Sequence, residues 1–188
     1  WQRALELLSS APRARIELDV VGCSAALSAC GRGERWATSL ALLREAGRRG
    51  VPGSTVACNA ALSACDWGGQ PAAAQALLQE MRRRQVPRDH VTFNALISSC
   101  EGARSWERAA RFLAELLGEG LEPSLVSYGA LASACEKAHQ WEQSLGSLRA
   151  LRRRGLRPDA VACHASISAC EKGQRWDCAL RLLAGMQD

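Results

Sequence analysis

The chain has 188 residues, 47% of them apolar, and carries 24 Lys and Arg against 19 Asp and Glu for a formal net charge of +5. Its apolar runs are short and broken by charge, nowhere near the ~20 consecutive apolar residues of a membrane span, so a soluble chain with no membrane association is predicted. The positive surplus is compatible with nucleic acid but modest, and alone it identifies no partner. Nine cysteines are present without a CxxC, and their spacing is not that of metal-ligand pairs. Cys23 and Cys30, Cys58 and Cys65, and Cys163 and Cys170 are each seven residues apart, which places both sulfurs on one helix face. These are expected to be small apolar core residues in a reducing environment, with Cys178 outside the register.

Along the chain, Val21, Val56, Val91, Val126 and Val161 recur every 35 residues. Cys30, Cys65, Cys100, Cys135 and Cys170 share that interval, as do Trp1, Trp36, Trp106, Trp141 and Trp176, with Pro71 in the one gap of the last series. Such self-similarity marks a repeat array, in which each unit buries its apolar face against its neighbours. Counted from the residue before each valine, residues 1–19 are the tail of a unit, 20–54, 55–89, 90–124 and 125–159 are whole units, and 160–188 is an incomplete one. A single continuous array is predicted. Both ends fall inside a repeat, so the array reads as an excerpt of a longer one, and no secretory or transit segment is visible in it.

Within each unit the apolar period is helical. In the third, Phe93, Leu96, Ile97 and Cys100 form one stripe, and Trp106, Ala109, Ala110, Leu113 and Leu116 form a second. Two helices of about a dozen residues per unit follow, each ~18 Å long, ten or eleven in all. Gly33, Gly68, Gly69 and Gly173 are placed to end first helices, and Gly50, Gly120 and Gly155 to end second ones, as left-handed caps. Pro52, Pro87, Pro123 and Pro158 then block continuation, while Pro71 suits the start of a second helix. Arg82 to Arg84 and Arg152 to Arg154 close second helices, where positive charge favours the helix C-terminus. The recurring tryptophans are expected to staple the two helices of each hairpin together. Trp67 stands off their register at the end of a first helix and is expected to be exposed.

Openings such as VTFNALISSC, VACNAALSAC and VSYGALASAC, the endings GLEPS (residues 120–124) and GLRPD (155–159), and the strict period give a chain that resembles the pentatricopeptide repeat family over its whole length. Tetratricopeptide repeats differ in having 34 residues and a Trp, Leu-Gly, Tyr signature in the first helix. The resemblance implies an all-α fold, an α-solenoid of tandem helix-turn-helix repeats wound into a right-handed superhelix with first helices on the concave side. It further implies sequence-specific binding of single-stranded RNA, an organellar transcript in chloroplast or mitochondrion, one base per repeat, in RNA processing, stability or translation. A helical repeat can present two or three side chains to the edge of an unstacked base.

By that resemblance the fifth and last residues of each unit read the base: Ser24 with Ser54, Asn59 with Asp89, Asn94 with Ser124, and Gly129 with Asp159, with Asp19 and His164 from incomplete units. Asn59 with Asp89 would favour uracil and Asn94 with Ser124 cytosine, whereas Gly129 lacks a side chain and would read poorly. From the residues alone, helix caps are an equal use for Ser and Asn at these places. Val21, Val56, Val91, Val126 and Val161 would sandwich the bases with side chains stiff at χ1; core packing is their alternative use. Arg32, Lys137 and Lys172 would meet the phosphates, with Trp67 and Gly102 at that place in the second and third units. Asparagine carries both donor and acceptor, as an edge-reading site requires. The competing class is a protein-binding α-solenoid that holds a peptide or a partner helix in the same groove. An enzyme is the least expected: His90, His139 and His164 share no common place, no nucleophile motif or paired carboxylates stand out, and no cofactor, metal or small-molecule substrate is implied.

Overall fold

The structure, a computed structural model, describes residues 20–33, 35–48 and 53–185. Among the described residues there are ten helices and no strand. They are α1 (Val20–Arg32), α2 (Trp36–Arg48), α3 (Thr55–Trp67), α4 (Pro71–Arg83), α5 (His90–Gly102), α6 (Trp106–Gly118), α7 (Leu125–Lys137), α8 (Trp141–Arg153), α9 (Ala160–Lys172) and α10 (Trp176–Ala184). Odd-numbered helices are the first helices of their units and even-numbered ones the second. None is long and apolar enough to cross a membrane.

The chain divides into two compact units, residues 1–99 and 100–188. In the first, α1 packs against α2 and α3, and α3 also packs against α2 and α4. In the second, α7 packs against α6, α8 and α9, and α9 also packs against α8 and α10. A first helix thus meets its own partner, a second helix of the neighbouring repeat, and another first helix. Small residues make that crowding possible: α3 buries Ala57, Cys58, Asn59, Ala61, Leu62, Ala64 and Cys65. The second helices instead bury one face of larger side chains, such as Ala74, Leu77, Leu78 and Met81 in α4. Each Leu buried this way is worth about 1.5–3 kcal/mol against exposure.

The expected stripe of α5 is fully buried, with Phe93, Leu96, Ile97 and Cys100 all at 0% exposure. In α6 the buried set is Ala109, Phe112, Leu113 and Leu116, while Trp106 and Ala110 are half-buried. Phe112 therefore joins the stripe that the period alone had drawn without it. Eight cysteines are buried and free, and Cys178 is half-buried and also free. Desolvation raises the Cys58 and Cys65 thiols to about 11 and Cys135 to about 12, so they stay protonated and act as apolar groups.

The turns correct the expected cap chemistry in one respect. Gly68 and Gly173 follow first helices with φ of −81° and −84°, not left-handed. The left-handed residue comes one place later: Gly69, Arg104, His139 and Gln174, 35 residues apart, all have φ between 51° and 60°. After the second helices Gln85, Gly120 and Gly155 take that conformation, with φ of 55°, 76° and 75°. Pro71 opens α4 as expected and is buried there.

Gly68 and Gly173 are glycine for a different reason, close approach. A Cβ on Gly68 would lie 2.6 Å from Trp36 Cδ1, and one on Gly173 would lie 2.4 Å from Trp141 Cδ1. Trp36 belongs to the unit before Gly68, and Trp141 to the unit before Gly173. The tryptophans therefore pack across the joint between consecutive repeats; at these two positions the staple expected within a hairpin is instead a staple between neighbours. The guanidinium of Arg175 covers the outer face of Trp141, 4.3 Å from its ring centre. Trp176, in the last described helix, is 73% exposed. Trp67 is exposed as expected, and its ring edge reaches Gly31 on α1, where a Cβ would stand 3.1 Å away.

Two glycine substitutions should separate helix propensity from turn geometry. Gly146 is an exposed interior residue of α8, and a methyl group added there would meet only open space, so Gly146→Ala should raise stability by about 0.5–1 kcal/mol. Gly155→Ala forces an L side chain into the left-handed region and should lower stability by about 1 kcal/mol. Urea unfolding measures both; shifts of the same sign would refute the turn assignment.

Candidate nucleic-acid interface

Candidate groups gather at the first turn of each first helix, where the second residue is exposed while the third and fourth are buried in α3, α5, α7 and α9. Val21, Val56, Val91, Val126 and Val161 occupy it and are 72%, 64%, 53%, 58% and 60% exposed. They are not core residues. A β-branched apolar side chain is thus exposed at the same place of the first helix in five consecutive repeats.

Next to this row stand the fifth-place residues, which differ in environment. Asn59 is only 9% exposed, Gly129 is buried, Ser24 and Asn94 are half-buried, and His164 is exposed. An added Cβ on Gly129 would lie 4.0 Å from Val161 Cγ1, so the fifth place of one repeat faces the valine of the next. Ser24 donates to the carbonyl of Val21 at 2.9 Å and so bonds within its own helix.

The last-place residues cap the following first helix. Ser54 accepts from the backbone N–H of Ala57 at 3.1 Å, and Asp159 from that of Ala162 at 2.9 Å. Ser124 accepts from the N–H of Ser127 at 3.3 Å while Ser127 Oγ accepts from the N–H of Ser124 at 3.1 Å, a reciprocal capping box. Asp89 accepts from the N–H of Thr92 at 2.9 Å. Capping therefore applies to the last places, and the fifth places lie beyond the cap, one turn into the helix. Asp19 lies outside the described residues.

One fifth and last pair is in direct contact within its unit. Asn59 Nδ2 donates to Asp89 Oδ1 at 3.0 Å and Oδ2 at 3.3 Å. Thr92, from the next repeat, donates through Oγ1 to Asn59 Oδ1 at 2.7 Å and sits 2.9 Å from Asp89 Oδ1. Partial burial would raise the Asp89 carboxyl, but the donors on Thr92 and the Asn59 amide outweigh it and hold the carboxyl below its ordinary value. Thr92 is fully buried and escapes sequence reasoning, because the third place also holds Ala57, Ser127 and Ala162 and has no obvious signature.

The cation place is less open than a formal charge count implies. Lys172 bonds the Oε1 of Glu136, and Lys137 lies 3.5 Å from its Oε2. Ser168 Oγ also donates to Glu136 at 3.1 Å. Glu136 is 8% exposed; burial opposes its charge, yet Lys172, Ser168 and Lys137 together keep its carboxyl below the ordinary range. Both ammonium groups thus share one buried carboxylate across the joint between α7 and α9. The Arg32 side chain lies outside the described residues, and Trp67 and Gly102 fill this place elsewhere. Among the described residues no group of three or more His, Cys, Asp or Glu could hold a metal ion.

The pentatricopeptide repeat domain model matches residues 41–102 and 76–138, together just over half of the chain. The chain is a pentatricopeptide repeat protein. A crystal structure of the pentatricopeptide repeat protein PPR10 from maize is similar over 99% of this chain at 28% identity, with a TM-score of 0.81, and 27% of that chain is covered. The same protein in complex with an 18-nt psaJ RNA element is similar over 96% of this chain at 30% identity, with a TM-score of 0.79 and 26% of that chain covered. The PPR domain of Arabidopsis thaliana protein-only RNase P 1, in complex with tRNA, shares the fold at 18% identity and a TM-score of 0.72, with 86% of each chain covered. The repeats described here span about a quarter of PPR10. No curated protein matches the sequence. The likeness establishes an all-α helical-repeat solenoid for this pentatricopeptide repeat protein.

Removing the shared carboxylate should be measurable as stability. Glu136→Gln keeps the shape but loses the charge that holds Lys172, at a cost of about 1 kcal/mol at pH 7, the net value of one hydrogen bond. Because the folded-state pKa is lowered, this contribution is present above the ordinary carboxylate range and lost as pH falls through the folded value. Urea unfolding of both chains at neutral and acid pH should show the difference shrinking with acid; a difference that grows would refute the pairing.

Proposed function

We propose that this chain binds single-stranded RNA along the row of first-helix openings, one base per repeat. The exposed valine row carries the reading. Consecutive first helices pack directly, α1 on α3 and α7 on α9, so the exposed valines at their openings are the candidate walls for the two faces of a planar base. Side chains stiff at χ1 suit such walls, since little freedom is lost when a base enters. Val56 and Val91 flank Asn59 in sequence, and Val161 adjoins the Gly129 place, so the proposed readers stand where a sandwiched base would turn its edge.

In this reading Ser24, Asn59, Asn94, Gly129 and His164 face base edges, and Asp19, Ser54, Asp89, Ser124 and Asp159 support them from the last places. Arg32, Lys137 and Lys172 meet phosphates, the latter two by exchanging Glu136 for a phosphate oxygen. Similarity to PPR10, whose structure holds an 18-nt RNA element, supports RNA binding by these repeats. By the same family likeness we propose an organellar transcript in chloroplast or mitochondrion as the partner, with a role in RNA processing, stability or translation. Few repeats and partly neutralised cations imply a roughly micromolar dissociation constant.

Fluorescence anisotropy with single-stranded RNA tests the proposal. Asn59→Ala should cost about 1 kcal/mol, only on RNA carrying the preferred base at one nucleotide. Asn94→Ala should act alike on the adjacent nucleotide, and Gly129→Ala should matter little. Lys137→Ala should weaken all sequences alike and flatten the slope of log K against log salt by about 0.7. Equal binding of duplex DNA, or binding of a peptide in place of RNA, would remove the reading.

A further inference from the structure

The hydrogen bonds around Asn59 carry an inference that rests on the proposed RNA-binding reading and deepens it. A primary amide has two ends that differ in chemistry but hardly in shape, so an unrestrained asparagine can present donor and acceptor in either order by turning about χ2. The Watson–Crick edges of the two pyrimidines are opposites at this level. Uracil offers an N3–H donor beside the O4 acceptor, and cytosine offers an N3 acceptor beside the N4 amino donor. A reader whose amide turns freely accepts both; one whose amide is fixed accepts one.

Asn59 is fixed from two sides. The carboxylate of Asp89 can only accept, so the amide nitrogen must face it, and it does so at 3.0 and 3.3 Å. The opposite end lies 2.7 Å from Thr92 Oγ1, the shorter of the two contacts open to its single proton, the other being Asp89 Oδ1 at 2.9 Å. Thr92 is itself held, since its Oγ1 accepts from the Asp89 N–H at 3.2 Å and the whole side chain is buried. Turning the amide would set its oxygen against two carboxylate oxygens, with no donor between them. One N–H and one carbonyl lone pair of Asn59 remain, in a fixed order.

We infer that Thr92 is a specificity-determining positioning residue: from the repeat that follows, its hydroxyl locks the amide of Asn59 in one sense, so that residues 55–89 discriminate uracil from cytosine. The lock needs three residues together: asparagine at the fifth place, a carboxylate at the last, and a hydroxyl at the third place of the next unit. A hydroxyl at the last place, as in Ser54 and Ser124, both donates and accepts and so dictates neither sense. Asp159 is followed by Ala162 at the third place and pairs with Gly129 in its unit, which leaves nothing to lock. Among the whole units only Asn59, Asp89 and Thr92 meet all three conditions.

The experiment selects a randomised single-stranded RNA pool on the unmutated chain and on variants, with sequencing of the bound fraction. The nucleotide whose base distribution changes in Asn59→Ala marks the site. At that nucleotide Thr92→Val, isosteric but without the hydroxyl, should reduce the uracil-to-cytosine ratio about fivefold, the equilibrium factor of one net hydrogen bond. Thr92→Ser should retain the ratio. A purely structural role for Thr92 would lower melting in Thr92→Val and leave the ratio unchanged, which would overturn the inference while sparing the RNA-binding reading. If Asn59→Ala changes no nucleotide, base reading itself fails and the inference with it. Should Thr92→Val not fold, Thr92→Ala decides, since Ala57 and Ala162 stand at this place in other units: a reduced ratio supports the lock, and an unchanged ratio overturns it.

Discussion

Everything in this molecule depends on the close approach of neighbouring first helices. Each must pack against another first helix while also holding second helices, and only small side chains allow that on so many sides at once. Alanine, serine and cysteine fill those faces, and the free thiols, pushed toward higher pKa by burial, serve as compact apolar filler. Leu27, Leu62, Phe93, Leu96 and Ile97 are the larger buried side chains between them, and the second helices bury a leucine-rich face while the other meets water. What this packing leaves exposed in the opening turn of a first helix is the valine at its second place.

That turn explains why function and capping share residues. The opening turn needs acceptors for its unpaired N–H groups, and the last residue of each unit supplies one. In the unit 55–89 that residue also touches the fifth place, so one carboxylate can end a helix and orient the side chain beside it. In Asp89 both tasks are performed by one side chain. Any substitution at a last place therefore changes a helix cap, and the proposed reading of a base there is confined to Asp, Asn, Ser and Thr, the residues that cap well.

Most of the architecture was legible in the sequence because a strict period transfers one assignment to every unit. The helix boundaries, the buried Phe93, Leu96, Ile97 and Cys100 stripe and the exposed Trp67 all followed from register and turn chemistry. What escaped were relations across a joint. Register fixes where Trp36 and Trp141 lie along their helices, but not whether the ring closes its own hairpin or the next one. Lys172 and Glu136 are 36 residues apart and Thr92 and Asn59 33, separations at which no local rule predicts contact. The left-handed Arg104, His139 and Gln174 were missed because glycine, the residue that announces that conformation, stands at their place only in Gly69.

The tryptophan-on-glycine joint has a consequence for anyone who would rearrange such units. Trp36 closes on a residue without a side chain at Gly68, and Trp141 on one at Gly173, whereas the third and fourth units hold Ala103 and Ala138 at that place. Pro71 offers no ring to whatever follows the unit 55–89. A unit moved to a new position thus brings two half-joints with it, and a shuffled array keeps this close approach only where tryptophan meets glycine. Interchangeability, which a shared period invites one to assume, is limited by the partner of a single indole ring.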